Sequence, residues 1–316
     1  ALATGRVNFS WQIAMYKLLE CALGCIKCCG CGGGHSSIGR APTDELPAVE
    51  EKKYPTVEDP ETFYDSLQTG DVLLVSQTSD FGALTQTFDK SPWDHCAMIL
   101  RCTAEGAAAQ AAKEEGPATK VNFRKGTAPA DPPKMVWSAP AAGQLQVAEA
   151  TGTGSHNFPL EDWLVARGEK SRYIAVRTLR DASGKPLDAA AMAKMETFAN
   201  EVWGRKYQAN ALELVKAIVK DDPGDAFVNK DDETLETLFC AEHTAECYQR
   251  AGMLTEKTLN SNEVLPSMFD VGEVVDRLMA GCGHGYALQA PVLLKAPGSA
   301  VTRRVHEKRK ALWPGL

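Results

Sequence analysis

The chain has 316 residues, of which 44% are hydrophobic and 24% are charged, and its formal net charge is −7 at pH 7. These values are ordinary for a globular protein that has one large domain with extensions or two small domains, and no apolar run is long enough to predict a transmembrane helix. The negative charge argues against a general nucleic-acid-binding protein, because contact with phosphates requires a basic surface.

Residues 7–29 show the spacing of an amphipathic helix. Charged and polar side chains, including Lys17 and Glu20, gather on one side, and the apolar side consists of Trp11, Met15, Leu18, Leu19, Ala22 and Ile26. Such a helix can lie in a membrane interface, occupy a groove on a partner protein, or fold back on its own domain. These three interpretations remain open, and a membrane surface is therefore one candidate partner of residues 7–31.

Half of the ten cysteines are crowded at the end of this segment, at Cys21, Cys25, Cys28, Cys29 and Cys31. They suit S-acylation, zinc binding together with His35, or a set of free thiols. A second, separated pair of zinc ligands is missing from the sequence, so we assign no metal site and no cofactor while the three states stay open. The cysteines are not spread as in a secreted disulfide scaffold, which favours an intracellular protein, whether membrane-associated, organellar or neither.

Composition divides the chain into four parts, which are an amphipathic cysteine-rich helix (1–31), a linker (32–60), a domain (61–275) and a C-terminal extension (276–316). The linker is rich in glycine, proline and acidic residues. Inside the domain, residues 103–133 are rich in alanine, glycine and proline. We expect this insert to loop out between strands, because its composition does not supply a hydrophobic core. In the extension, Val292–Leu294 is a candidate strand.

Two segments of the domain place a chemically useful side chain at the end of a predicted strand. The chain enters a strand after Pro92, with His95 at its beginning, and residues 145–152 alternate like a strand in which Glu149 precedes a glycine turn. A carboxylate in that position can orient an imidazole that activates a thiol. Taken alone, each residue is equally compatible with an ordinary hydrogen-bonded core position.

A helix is predicted to begin at Cys240 and to stop at Gly252. Ala241, Ala245 and Tyr248 recur at helical spacing, and glycine adopts the left-handed conformation that commonly ends a helix. The N–H groups and the dipole at a helix N-terminus favour an anion, so the Cys240 thiol should lose its proton more easily than an ordinary cysteine. The alternative for a single cysteine is a buried packing role.

Three residues near these candidates are interpreted as structural. Cys96 and Cys247 fall in predicted core elements and are expected to be packing residues. His243 lies one turn into the predicted helix and is expected to face away from the strand that carries His95.

The ordered set of motifs resembles the permuted NlpC/P60 papain-like superfamily, especially the YiiX/YaeF-like permuted amidases. The motifs are Gly70-Asp71 before a strand, Ser91-x-x-Asp94-His95, Glu149-Ala150 at a strand end, Gly204-x-x-Tyr207, and Phe239-Cys240-x-Glu242 opening a helix. The resemblance covers about residues 66–270. It implies an α+β fold in which an antiparallel sheet packs on helices, here with an N-terminal amphipathic helix and extended arms.

The resemblance also implies roles for three residues, with Cys240 as nucleophile, His95 as base and Glu149 as orienting acid. It suggests a thiol hydrolase or acyltransferase that acts on amide- or ester-linked acyl or peptide groups. The sequence departs from the family at Ala241, where serine is frequent, and at Gln208, where aspartate follows the tyrosine. These departures and the low-complexity arms favour an alternative, a catalytically silent accessory subunit of a large, membrane-associated assembly.

Overall fold

The computed structural model describes residues 54–78, 86, 91–114, 140–152, 154–168, 170–207, 237–255 and 259–312. The predicted amphipathic helix, the five crowded cysteines, most of the linker and residues 115–133 of the insert lie outside these residues. The four-part division of the chain therefore stays a prediction. No helix in the described part of the chain has the length and apolar character needed to cross a bilayer.

The described residues contain ten strands, which are β1 (Val72–Gln77), β2 (His95–Arg101), β3 (Leu145–Thr151), β4 (Gly154–Pro159), β5 (Ser171–Arg177), β6 (Leu179–Asp181), β7 (Lys206–Tyr207), β8 (Thr237–Leu238), β9 (Tyr286–Leu288) and β10 (Val292–Lys295). Six of them form one sheet in the order β10-β5-β1-β2-β3-β4. All neighbours in this sheet are antiparallel. The candidate strand at Val292–Leu294 is confirmed as β10, which forms one edge of the sheet.

Seven helices are described, which are α1 (Pro60–Ser66), α2 (Ala104–Glu114), α3 (Leu160–Gly168), α4 (Ala189–Glu201), α5 (Cys240–Arg250), α6 (Val274–Gly281) and α7 (Ala300–Leu312). Local signals in the sequence mark their ends. In α4, for example, the side chain of Asp188 caps the N-terminus by accepting the N–H of Ala191 at 2.8 Å. The chain then turns at Gly204, whose φ is +83°. The antiparallel sheet and these helices agree with the predicted α+β class.

Helices cover both faces of the sheet. In β1, Val72 and Leu74 pack into a core with α4, α5 and α6, whereas Leu73 and Val75 pack into a second core with α3 and α7. Because side chains alternate along a strand, a segment buried on both faces is apolar throughout, and residues 72–75 of β1 and 96–100 of β2 have this character. We call the two sides of the sheet the α5 face and the α3 face.

Helix α2 corrects the expectation that the whole insert loops out. Residues 104–114 are helical, as their alanine content allows, because alanine has the highest helix propensity. Gly106 lies against Glu196 of α4, where a Cβ would be 1.8 Å from Oε1 of the glutamate. Gln110 is fully buried and donates to Gln146 at 2.8 Å and to Asn200 at 3.0 Å. The helix docks through buried amides, so a search for apolar core residues missed it.

The end of the chain braces both the sheet and helix α3. Arg177 of β5 is fully buried, and its guanidinium donates to four backbone carbonyls, those of Phe269, Asp270, Leu288 and Gln289. Helix α7 packs along α3, where Arg304 forms an ion pair with Glu161 at 2.6 Å. Part of the predicted C-terminal extension is therefore integrated with the domain.

Candidate active site

Helix α5 places Cys240 at its first position, as the sequence predicted. Glu242 caps this end, because its Oε2 accepts the backbone N–H of Phe239 at 2.8 Å. The helix ends at Arg250, close to Gly252, whose φ is +80°. The first N–H groups of a helix have no acceptor within the helix, so the N–H of Cys240 is available to a bound group. Cys240 as a residue is 7% exposed.

His95 and Glu149 meet where two neighbouring strands, β2 and β3, respectively begin and end. His95 is the first residue of β2 and Glu149 lies near the end of β3, and antiparallel pairing brings the start of one strand beside the end of the other. Nε2 of His95 lies 2.8 Å from Oε2 of Glu149, and both residues are buried. This contact leaves Nδ1 as the ring nitrogen that can face a thiol.

Cys240 completes the group, because its side chain lies close enough to His95 for each to shift the pKa of the other. A hydrogen bond from the Cys96 side chain and the adjacent imidazole hold the pKa of the Cys240 thiol well below its usual range, despite burial. Burial lowers the pKa of His95, but the Cys240 thiolate and Glu149 outweigh it and raise this pKa to about 9. The two shifts together favour a thiolate–imidazolium pair at neutral pH.

A fourth side chain, Arg167, extends this group, and the sequence analysis did not identify it. Its Nη2 lies 2.8 Å from Oε1 of Glu149, the carboxylate oxygen that His95 does not use. Burial alone would raise the pKa of Glu149, but Arg167 and His95 hold it well below its usual range. An arginine in the last turn of a helix is common, so its sequence position carries no sign of this role.

Cys96 is buried in the hydrophobic core, as the sequence predicts, and it also lies beside Cys240. Its thiol donates to Oγ1 of Thr244, with 3.8 Å between sulfur and oxygen. Burial and the neighbouring Cys240 thiolate raise the pKa of Cys96 well above its usual range. Cys96 therefore remains a thiol beside the Cys240 sulfur.

The Gly204-x-x-Tyr207 motif reaches the site through a close backbone contact. Ser155 of β4 exchanges backbone hydrogen bonds with Gly204 and Arg205, and a Cβ at Gly154 would lie 2.7 Å from the carbonyl oxygen of Arg205. β7 then pairs with β8, so the Tyr207 ring packs edge-on against Phe239. Burial and the Cys240 thiolate both raise the pKa of Tyr207.

Asp94, the residue before His95, is a second buried carboxylate of this region. Its Oδ1 accepts the backbone N–H of Gln77 at 2.9 Å, while its Oδ2 has no hydrogen-bond partner within the described chain. Burial raises the pKa of Asp94 to about 6, and the Cys240 thiolate contributes to the rise. Asp94 and Glu149 thus differ in their relation to His95. Glu149 forms the hydrogen bond to His95, whereas Asp94 accepts its hydrogen bond from the backbone of Gln77.

His243 lies on α5 but belongs to different surroundings. It is fully buried against Phe198 of α4, with 6.0 Å between ring centroids, and Glu149 contributes to its electrostatic surroundings. That it faces away from His95 stays a prediction. Neither ring nitrogen has a hydrogen-bond partner among the residues described. Burial lowers the pKa of His243 to about 4, so its imidazole is neutral at pH 7.

Comparisons with known proteins give little beyond this geometry. No protein-family model matches the sequence, and no curated protein matches it. One similar solved structure is that of the metalloprotein YiiX from Escherichia coli O157:H7, also designated DUF1105. The chains are 18% identical, with 59% of this chain and 67% of that chain covered, and the TM-score is 0.33. A likeness at this TM-score carries no argument, so the function must be judged from the side chains themselves.

The side chains were also compared with the requirements of a metal site. Within the described residues, no group of three or more histidine, cysteine, aspartate and glutamate side chains is arranged to hold a metal ion. His95 and Glu149 instead hydrogen bond to one another, and Glu149 also pairs with Arg167.

Proposed function

We propose that this chain is a thiol hydrolase or acyltransferase in which Cys240 is the nucleophile, His95 the base and Glu149 the orienting acid. The observation that best supports the proposal is the position of His95. Its ring hydrogen bonds to Glu149 at 2.8 Å, and it interacts electrostatically with Cys240, which stands at a helix N-terminus. Nucleophile, base and orienter in hydrogen-bonding sequence are the arrangement that activates a thiol.

The reaction follows from this arrangement. The Cys240 thiolate attacks the carbonyl carbon of the substrate, and the oxygen becomes negatively charged near the backbone N–H of Cys240. As the carbon–nitrogen or carbon–oxygen bond breaks, His95 gives its proton to the leaving amine or alcohol. Water or an acyl acceptor then attacks the thioester carbon, with His95 taking the proton of the attacking group, and the carbon–sulfur bond breaks to release the Cys240 thiolate. Glu149 stabilises the imidazolium in both steps.

The proposal includes the fold and the substrate class that the motifs suggest. The fold would be a permuted papain-like, NlpC/P60-type domain of the YiiX/YaeF-like amidase group. Its substrates would be amide- or ester-linked acyl or peptide groups. An amphipathic segment at residues 7–31 would suit a substrate held in a membrane, and this segment lies outside the described residues.

Alkylation by iodoacetamide tests the proposal without a known substrate. The rate at Cys240, followed by mass spectrometry of its peptide, should stay high below pH 7, whereas Cys247 in the same helix should react slowly because burial raises its pKa. His95→Asn should lower the rate at pH 6, and His243→Asn is the matched control in a second buried histidine. Ordinary thiol behaviour of Cys240 in the folded wild type would refute the proposal.

The low exposure of the site supports a second candidate, the catalytically silent accessory subunit. Cys240 is 7% exposed and His95 is 5% exposed, which leaves little room for a substrate to approach in this conformation. Acyl-enzyme formation with p-nitrophenyl esters and N-acyl amides of different chain length separates the two candidates. A thioester at Cys240 that Cys240→Ser abolishes supports the enzyme, and a reactive thiolate that no acyl donor can reach supports the subunit.

A further inference from the structure

Glu149 is held from two sides by groups on different elements. Its Oε2 contacts Nε2 of His95 on β2 at 2.8 Å, and its Oε1 contacts Nη2 of Arg167 on α3 at 2.8 Å. The Glu149 side chain is 2% exposed, whereas that of Arg167 is 22% exposed. The ion pair therefore joins a buried carboxylate to a guanidinium at the rim of the site. A buried charge needs such a partner, because burial by itself favours the neutral acid.

Helix α3 has its own means of fixing the arginine. The backbone carbonyl of Arg167 accepts the hydroxyl of Ser171 and the N–H of Lys170, both at 2.9 Å, which sets the turn into β5. At the next position, Gly168 lets the helix end approach α7, since a Cβ there would lie 3.2 Å from Cγ1 of Val305. Contacts with β5 and α7 thus fix the backbone at Arg167, and with it the position of the Arg167 Cα.

We propose that Arg167 is a positioning residue of the active site, which keeps Glu149 ionised and correctly oriented so that His95 can hold the proton of Cys240. The inference rests on the proposed thiol chemistry and adds a fourth member to it. Arg167 acts through Glu149 and does not touch the sulfur. The group is a chain of alternating charge, from guanidinium to carboxylate, imidazolium and thiolate.

Removing the guanidinium of Arg167 should change the protonation of Glu149, then of His95, and then of Cys240. Without it, burial raises the pKa of Glu149, and a neutral acid no longer stabilises the imidazolium. The proton of His95 then returns to the sulfur more readily, and the thiol of Cys240 titrates at higher pH. The titratable and charged groups around Glu149 are His95 on β2, Arg167 on α3, Cys240 and His243 on α5, and His156 across the β3–β4 pair.

The test is the pH profile of Cys240 alkylation in the full chain carrying Arg167→Met. We expect the midpoint to rise by about one pH unit, which is about a tenfold lower rate below the midpoint. Arg167→Lys keeps a positive charge and should recover most of the rate. Arg172→Met is the matched control, because Arg172 lies in the neighbouring strand and is exposed. Circular dichroism establishes that each variant is folded.

A double variant shows whether the effect passes through Glu149. In the Glu149→Gln background, Arg167→Met should change the midpoint little, because the carboxylate on which it acts is gone, and this variant also avoids burying an unpaired charge. An unchanged midpoint in Arg167→Met, an equal shift in Arg172→Met, or a full shift in the double variant would overturn the inference. Ordinary thiol titration in the wild type would instead refute the proposed function.

Discussion

The start of β2 and the first turn of α5 each bury a histidine, and the two imidazoles behave oppositely. The pKa of His95 is raised to about 9 and that of His243 is lowered to about 4. Burial lowers both, so it cannot account for the difference. His95 has the Cys240 thiolate and Glu149 as neighbours, whereas neither nitrogen of His243 has a described hydrogen-bond partner. Charged neighbours of the ring, rather than burial, therefore account for the difference between the two pKa values.

The largest expected effect is on activity, when His95 loses the charged neighbour Glu149. Glu149→Gln removes the carboxylate with little change of shape, so burial should lower the pKa of His95 and return the proton to Cys240. We expect turnover of an activated ester to fall by about 10²- to 10⁴-fold, the usual range for losing acid–base function. The measurement is kcat/KM from pH 5 to 10, and wild-type activity in this variant would contradict the comparison.

A smaller effect is expected from His243, whose protonation should lower the free energy of unfolding in acid. In the unfolded chain its pKa would be 6.5, and in the folded chain it is about 4, so the unfolded state binds more protons between these values. The free energy of unfolding should therefore fall as the pH drops from 6.5 to 4, by about 3 kcal/mol in total. His243→Leu should remove this loss, as measured by urea unfolding at pH 7 and pH 4.5. Equal acid sensitivity in variant and wild type would show that His243 is not the buried base described above.

The smallest expected effect concerns the thiol beside the nucleophile. Cys96→Ala removes the side-chain hydrogen bond that lowers the pKa of Cys240, and one such bond to a charged group is worth about 1.5–3 kcal/mol. The alkylation rate of Cys240 at low pH should fall by about 10- to 150-fold. Cys96→Ser is the matched variant, because its hydroxyl can still donate. If alanine and serine behave alike, the donor role of Cys96 is wrong.

Local patterns predicted the parts of this site that local physics determines. The α5 start at Cys240, the strand start at His95 and the strand end near Glu149 all carry propensity, turn or capping signals. Arg167 carries no such signal, because its position beside Glu149 depends on how α3 packs on the sheet. Cys96 belongs to the hydrophobic core, as predicted, but its position beside Cys240 carries no local signal, since a strand residue gives no information about which helix terminus covers it.

The fold was predictable to a similar degree. Strand β10 followed from an apolar run, and the antiparallel α+β architecture was implied by the family that the ordered motifs resemble. Helix α2 did not follow from either, because its buried contacts are amides. The permuted papain-like assignment, the catalytic roles and the partners remain predictions that the experiments above address.

Two features described above bear on the order in which the protein folds during synthesis. Arg177 donates hydrogen bonds to backbone carbonyls between residues 269 and 289, and β10 forms an edge of the sheet. On the ribosome, His95, Glu149 and Cys240 emerge before the strand that completes the sheet has been synthesised. Pairings between strands so distant along the chain form slowly, because a long loop must close first. We therefore expect the six-stranded sheet of the nascent polypeptide to be completed only after residues 292–295 have been added.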